Sequence, residues 1–229
     1  MTKGRVVFYN IEKARKESVN MTYEKTELYF LRRDVLLQFG EEEGEKIFAR
    51  ASKLCTELIV TTDYKGSAAL EGQMRRLVFP VIAYYKTLLA FGYKKSAALG
   101  LVRKETEKAA KECAEVLANQ NRKIFPYFAF RRNIKRFMES KFPKKGWNYA
   151  DFSKKGKKIS FRITACNYFE VTKKFGCYEL CKVFCEYEKI AFAGLSPKID
   201  FSCGGVLADG HSCCEFCFEK GGQNPAAEQ

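Results

Sequence analysis

Eight of the ten cysteines in the chain and its single histidine lie between residues 166 and 217. Thiols gathered in one stretch can be metal ligands, nucleophiles, disulfide partners or small core residues. Closed zinc sites commonly use Cys-x-x-Cys turns, but the spacing from Cys214 to Cys217 falls in a segment that alternates like a strand, so the two side chains point to opposite faces. We therefore predict no resident cofactor, with a soft metal or an iron–sulfur cluster as the alternatives.

The same alternation separates neighbouring thiols in the last predicted strand. Cys214, Phe216 and Phe218 share the face that we expect to point inward, whereas Cys213 and Cys217 share the other face. Cys214 is therefore the thiol that we expect inside a pocket or core.

A nucleophilic cysteine needs its thiolate form, which a nearby imidazolium, Lys, Arg or helix N-terminus favours. His211 precedes Cys214 by three residues and is the only imidazole available as a base or acid. The alternative for His211 is an ordinary turn residue after the Asp-Gly pair that precedes it.

The elements that must position these residues begin with helices. Pro80 inside the third helical segment should kink or break it, and Gly92 suits its C-terminal cap. From apolar residues at helical spacing, we predict five helices over about residues 22–39, 42–58, 70–91, 96–117 and 126–140.

The character of the sequence changes after the fifth helix. Residues 142–157 are punctuated by Gly, Lys and Pro and are predicted to be a connection. Short connections favour antiparallel pairing of the strands that follow. We expect a strand over 158–166, a helix over 176–192 with Cys177, Cys181 and Cys185 on one face, and strands over 199–201 and 212–219.

The predicted fold class is α+β, with an N-terminal helical region of about five helices followed by a small antiparallel sheet and a Cys-bearing helix. We expect the helical region to span residues 1–145 and the Cys-rich region, which carries the candidate site, to span 146–220. The two are expected to pack as one unit, and residues 221–229 have the composition of a loose tail.

The composition limits the classes of binding partner that we expect for the chain. No apolar segment resembles a signal peptide or a membrane span, so we expect a cytoplasmic protein without membrane association, in which disulfides are disfavoured. The formal net charge is +14, and residues 131–158 alone hold eleven Lys and Arg against Glu139 and Asp151. That stretch suits a nucleic acid or another polyanion, although a solvated helix face and loop are the favoured interpretation.

Residues 164–218 resemble the L-2-amino-thiazoline-4-carboxylic acid hydrolase (ATC hydrolase) family. Three short matches carry the resemblance: Cys166 in TACNYFE, Cys185 followed by Glu188 in FCEYEKIAFAGLSP, and Gly210 with Cys214 and Phe216 in DGHSCCEFCFE. The segment YFLRRDVLLQFGEEEGEKIFARA is similar to the Gly-Glu-Glu helix pair of the family. Glu188 stands where the family usually has Asp. The other thiols of the stretch are not part of the family pattern: Cys177, Cys181, Cys203, Cys213 and Cys217.

The resemblance implies a hydrolase that opens a small cyclic amidine or thiazoline at its amidine-like carbon, giving an N-carbamoyl cysteine. The small-molecule substrate would be attacked by Cys214 or Cys185, with Cys166 close by. Glu188 would hold the amidinium-type group, and His211 would move protons.

One further residue and several alternatives complete the hypothesis. Arg162 is predicted to project from the same strand face as Cys166 and to bind a substrate carboxylate. The alternatives are a Glu188 that only pairs with a lysine on the helix surface, an Arg162 that is only solvated, and a soft metal held by Cys166, Cys185 and Cys214. Binding of a small molecule without hydrolysis also stays open.

Overall fold

The computed structural model describes residues 23–120 and 126–222. Within them the predicted α+β class is confirmed, because a helical part is followed by a four-stranded antiparallel sheet with further helices. The chain divides into two compact units, residues 1–105 and 106–229, and the predicted division at residue 145 stays a prediction. Beyond Gly222 the predicted tail lies outside the described residues.

The first unit is helical, and its apolar stripes are buried where the periodicity predicts. Its segments are α1 (Leu31–Phe39), α2 (Glu41–Thr61), α3 (Ala68–Gln73), a π-helical turn (Met74–Val78), α4 (Phe79–Ala90) and α5 (Lys95–Gln120), which continues into the second unit. On α2 the side chains of Ile47, Ala51 and Cys55 are buried. Burial raises the pKa of Cys55 to about 12, so this thiol is a small core residue that stays protonated.

Pro80 changes the local hydrogen bonding of the helix without breaking it. A proline has no N–H, so Pro80 cannot donate to the carbonyl of Arg76 one helical turn earlier. That carbonyl instead accepts the N–H of Glu27 at 2.8 Å, and the π-helical turn lies directly before α4. The carbonyl of Arg76 thus anchors the segment that leads into α1.

The second unit contains the sheet. Its elements are the end of α5, α6 (Pro126–Lys141), β1 (Asn148–Lys155), β2 (Lys158–Ala165), α7 (Asn167–Lys174), α8 (Leu180–Ala193), β3 (Ile199–Gly204) and β4 (Cys214–Lys220). The strands lie in the order β1-β2-β4-β3, and every neighbouring pair is antiparallel.

One face of this sheet is an aromatic core. Phe216 and Phe218 of β4 are buried, as strand phase predicts. The ring of Phe218 lies 5.1 Å from Phe130 of α6 and 5.7 Å from Phe192 of α8, so both helices cover the same face. Complete burial of a phenylalanine side chain contributes about 1.5–3 kcal/mol to folding, so these contacts stabilise the unit.

Two predictions for the second unit are wrong. The segment expected to be a connection contains β1, whose alternation is obscured by register irregularities and by a positive φ of 53° at Asp151. The helix expected from residue 176 begins at Leu180, and α7 precedes it. Cys177 consequently lies before α8, and only Cys181 and Cys185 occupy the helix.

None of the helices in the described part of the chain is long and apolar enough to cross a membrane.

Candidate active site

A cavity lies on the buried side of the sheet in the second unit. It encloses about 450 Å³ of empty space, including its opening towards solvent. Four thiols, a carboxylate, a lysine and seven aromatic or aliphatic side chains line it: Cys166, Cys185, Cys203, Cys214, Glu188, Lys189, Phe142, Trp147, Ile163, Tyr168, Phe201, Val206 and Phe216.

The fold brings three predicted cysteines from three different elements to this cavity. Cys166 follows the last residue of β2 and occupies the N-cap position of α7. Cys185 lies in the middle of α8, and Cys214 is the first residue of β4. Because antiparallel β2 and β4 pair Ile163 with Cys214, the end of β2 and the start of β4 meet at the cavity.

A fourth thiol, Cys203, was not among the predicted site residues. It lies on β3 opposite Phe216 of β4, and both side chains face the cavity. The predicted strand ended at Phe201, two residues too early. Since side chains alternate along a strand, extending it to Gly204 would have placed Cys203 on the same face as Phe201.

All four cavity thiols are held in their protonated form. Burial raises the pKa of Cys166 and of Cys203 to about 12. The hydrogen bond with Cys181, followed by burial, raises the pKa of Cys185 far above its usual range. Burial also raises the pKa of Cys214. A thiolate in the empty cavity is therefore disfavoured at neutral pH.

Backbone N–H groups distinguish these thiols from one another. The N–H of Leu207 donates to Cys214 Sγ at 3.3 Å and works against the rise in its pKa. The backbone of Phe169 and of Tyr168, in the first turn of α7, likewise acts to lower the pKa of Cys166. The Cys185 thiol is opposed instead by the neighbouring Cys181 and Glu188. Cys214 and Cys166 are thus better suited than Cys185 to carry transient negative charge.

Glu188 is a buried carboxylate and not a surface residue. It is 5% exposed, and its Oε1 accepts a 2.8 Å hydrogen bond from the phenol of Tyr168. Burial, then the charge of Glu188, raises the pKa of Tyr168 well above its usual value, so the phenol remains a hydrogen-bond donor. The alternative in which Glu188 only pairs with a lysine on the helix surface is therefore wrong.

Lys189 brings the only positive charge among the described residues that line the cavity. Its side chain is exposed, whereas the adjacent Glu188 is buried. The charge of Lys189 acts to lower the pKa of Cys185 and of Cys203. The lining thus has a carboxylate on its buried side and an ammonium group on its solvent side.

Two predicted site residues lie outside the lining. Arg162 is exposed on the opposite face of β2 and forms an ion pair with Asp151. The prediction that Arg162 shares a face with Cys166 is wrong, because β2 ends at Ala165 and strand alternation does not continue into α7. His211 is exposed in the loop before β4, where its backbone N–H donates to the carbonyl of Val206 at 3.3 Å.

The predicted alternative of a metal site finds no support in the side-chain geometry. Within residues 23–120 and 126–222, no three His, Cys, Asp or Glu side chains are arranged to hold a metal ion. Cys166, Cys185 and Cys214 share a cavity without forming such a group.

Comparison with known proteins bears directly on this cavity. The sequence profile of the L-2-amino-thiazoline-4-carboxylic acid hydrolase family matches residues 72–218, more than half of the chain. The chain belongs to this ATC hydrolase family. The matched range includes every residue that lines the cavity. No curated protein and no solved structure matches the chain.

Proposed function

We propose that the chain is a hydrolase that opens a small cyclic isothiourea of the 2-aminothiazoline type, giving an N-carbamoyl thiol. The observation that carries this proposal is the convergence of Cys214, Cys166 and Glu188 in one cavity of an ATC hydrolase family member.

The charges of the lining match a zwitterionic substrate. Glu188 on the buried side pairs with the amidinium group of the protonated ring, and Lys189 on the solvent side pairs with a ring carboxylate. The aromatic side chains of Trp147 and Phe216 supply flat apolar walls for the ring itself. Lys189 therefore takes the role that the sequence assigned to Arg162.

The proposed first step exchanges one thiol for another. Cys214 Sγ bonds to the amidine carbon, the bond from that carbon to the ring sulfur breaks, and the ring sulfur leaves as a free thiol. Cys166, which is protonated, donates the proton to the departing sulfur and is re-protonated by the proton that Cys214 loses. The bound amidinium lowers the cost of the Cys214 thiolate, which the empty cavity disfavours.

The proposed second step consumes water. Water adds to the carbon bonded to Cys214, the carbon–sulfur bond to the protein breaks, and the carbon keeps its nitrogen atoms and gains an oxygen. The products are the N-carbamoyl thiol and the original Cys214 thiol, and no cofactor is used.

The test is an acid quench of the full-length chain with 2-aminothiazoline-4-carboxylate during turnover, followed by intact-protein mass spectrometry. We expect a covalent adduct on Cys214 and none in Cys214→Ala, together with loss of ring opening. If Cys214→Ala opened the ring at an undiminished rate, the mechanism would be direct attack of water and not attack by the thiol. Absence of ring opening in the wild-type chain would remove the hydrolase proposal itself.

A further inference from the structure

The end of the sheet where β1 turns into β2 gathers positive charge from separate parts of the chain. Lys155 and Lys157 lie at this turn. The backbone N–H of Lys220, the last residue of β4, donates to the carbonyl of Lys157 at 2.8 Å. The N–H of Gly221 donates to the carbonyl of Lys198, directly before β3, at 2.9 Å. Lysines that are distant in sequence are thus neighbours here.

Arg131 of α6 fixes this turn from the helix side. Its guanidinium donates to the carbonyls of Gly156 at 3.0 Å and Lys154 at 2.9 Å. Lys154 Nζ donates in return to the carbonyl of Arg131 at 2.7 Å. The planar guanidinium is suited to such paired bonds, so the turn is held against the helix. We name the resulting surface the basic sheet end: Arg131, Lys155, Lys157, Lys158, Lys198 and Lys220.

Two carboxylates lie among these cations in the described part of the sheet end. Glu219 pairs with Lys158 at 3.1 Å, and Asp200 lies opposite Glu219 across β3 and β4. Six cations against two carboxylates leave the surface positive. The side chains of Lys155, Lys157 and Lys198 are exposed, so this charge faces solvent and attracts polyanions.

An exposed aromatic ring accompanies the charge. Phe128 of α6 is 57% exposed, and Lys220 Nζ lies 5.5 Å from the centre of its ring. Single-stranded nucleic acids bind to surfaces that combine cations for the phosphates with aromatic rings for the bases. A membrane surface would call for a broader apolar face, and Phe128 is the one large exposed apolar residue at this end of the described sheet.

We infer that the basic sheet end binds the phosphate backbone of single-stranded nucleic acid, with Phe128 stacking on a base. The residues of this surface do not line the thiol cavity, so the inference does not depend on the proposed hydrolase activity. The hydrogen bonds from Arg131 hold the turn between β1 and β2 against α6. The charges of the helix and of the two strands therefore lie side by side.

The experiment measures fluorescence anisotropy of a labelled 20-nucleotide poly-U RNA with the full-length chain over a series of salt concentrations. We expect affinity to fall as salt rises. The triple variant K155A/K157A/K198A should lower the slope of log K against log salt by about 2, since each phosphate contact to a single strand adds about 0.7. The matched control is K53A/K94A/K111A, which removes three exposed lysines from α2, the segment before α5, and α5, and should keep the wild-type slope.

A second variant separates stacking from charge. Phe128→Ala should weaken RNA binding at least about fivefold without changing the salt slope. No RNA binding at low salt, equal slopes in the two triple variants, or binding to vesicles of phosphatidylcholine and phosphatidylserine in place of RNA would each overturn the inference. Circular dichroism melting of every variant checks that the fold is intact.

Discussion

The phenol of Tyr168, in the first turn of α7, donates a 2.8 Å hydrogen bond to Oε1 of Glu188 on α8. Both residues are nearly fully buried and both line the thiol cavity. The bond joins the two helices and orients the carboxylate that the proposed reaction uses. It therefore connects the stability of the second unit to the chemistry of its cavity.

Removing this donor should lower stability. Tyr168→Phe takes a hydrogen bond away from a buried carboxylate, so we expect the free energy of unfolding to fall by about 1–3 kcal/mol. Urea denaturation measures this change. The matched control is Tyr127→Phe, because the buried hydroxyl of Tyr127 has no hydrogen-bond partner among the described residues and its removal should be neutral or stabilising. Equal losses in the two variants would contradict the prediction.

The thiols should not contribute equally to ring opening. We expect Cys214→Ala to lower kcat by at least about a thousandfold, because it removes the attacking atom. Cys166→Ala should lower kcat about a hundredfold through loss of the proton donor, and Cys185→Ala less than tenfold. Steady-state kinetics with 2-aminothiazoline-4-carboxylate measures each change. Cys217→Ala, on the outer face of β4, is the control and should retain full activity. A larger loss in Cys185→Ala than in Cys214→Ala would reverse the assignment.

Lys189 and Arg162 offer a comparison of two exposed cations. Only Lys189 lines the cavity, so Lys189→Gln should raise KM about tenfold by removing one charge-assisted contact with the substrate carboxylate. Arg162→Gln should leave KM unchanged, since its guanidinium pairs with Asp151 on the other face of the sheet. A substrate analogue without the carboxylate should bind wild type and Lys189→Gln with the same KM. A larger rise in KM for Arg162→Gln than for Lys189→Gln would mean that Arg162 binds the substrate carboxylate.

Because Cys166 is buried, we expect the free energy of unfolding to fall at alkaline pH. Burial raises its pKa from 9.0 to about 12, so above pH 9 this thiol ionises in the unfolded chain and stays protonated in the folded chain. Stability is then lost as pH rises, by about 1.4 kcal/mol per pH unit for such a group. Urea unfolding between pH 8 and 10.5 should therefore show a steeper loss for the wild type than for Cys166→Ala. Identical pH slopes would mean that Cys166 ionises equally in both states.

Periodicity located most of the elements from the sequence. Helical spacing of apolar residues predicted α2, α5 and α6 within a few residues of their ends, because a helix must bury one face wherever it packs. The first predicted helix began nine residues before α1, and the third covered α3, the π-helical turn and α4 together. The inward face of β4 followed from alternation alone, with Phe218 completely buried as expected. Strand β1 was not predicted, because its pairing with β2 shifts register around Asp151 and the regular alternation on which a prediction depends is lost.

The types of site residue were likewise visible in the sequence, since the short matches to the ATC hydrolase family named Cys166, Cys185, Glu188 and Cys214. Their meeting was not visible, because they lie on separate elements and only the antiparallel pairing of β2 with β4 and the packing of α7 against α8 bring them to one cavity. The same packing excludes Arg162 and includes Lys189 and Cys203. The order of residues along the chain was enough for the fold class, through periodicity, and for the candidate thiols, through the resemblance to the family. Burial, which sets the pKa of each thiol and the partner of each charge, arises between elements, so only the tertiary structure decided it.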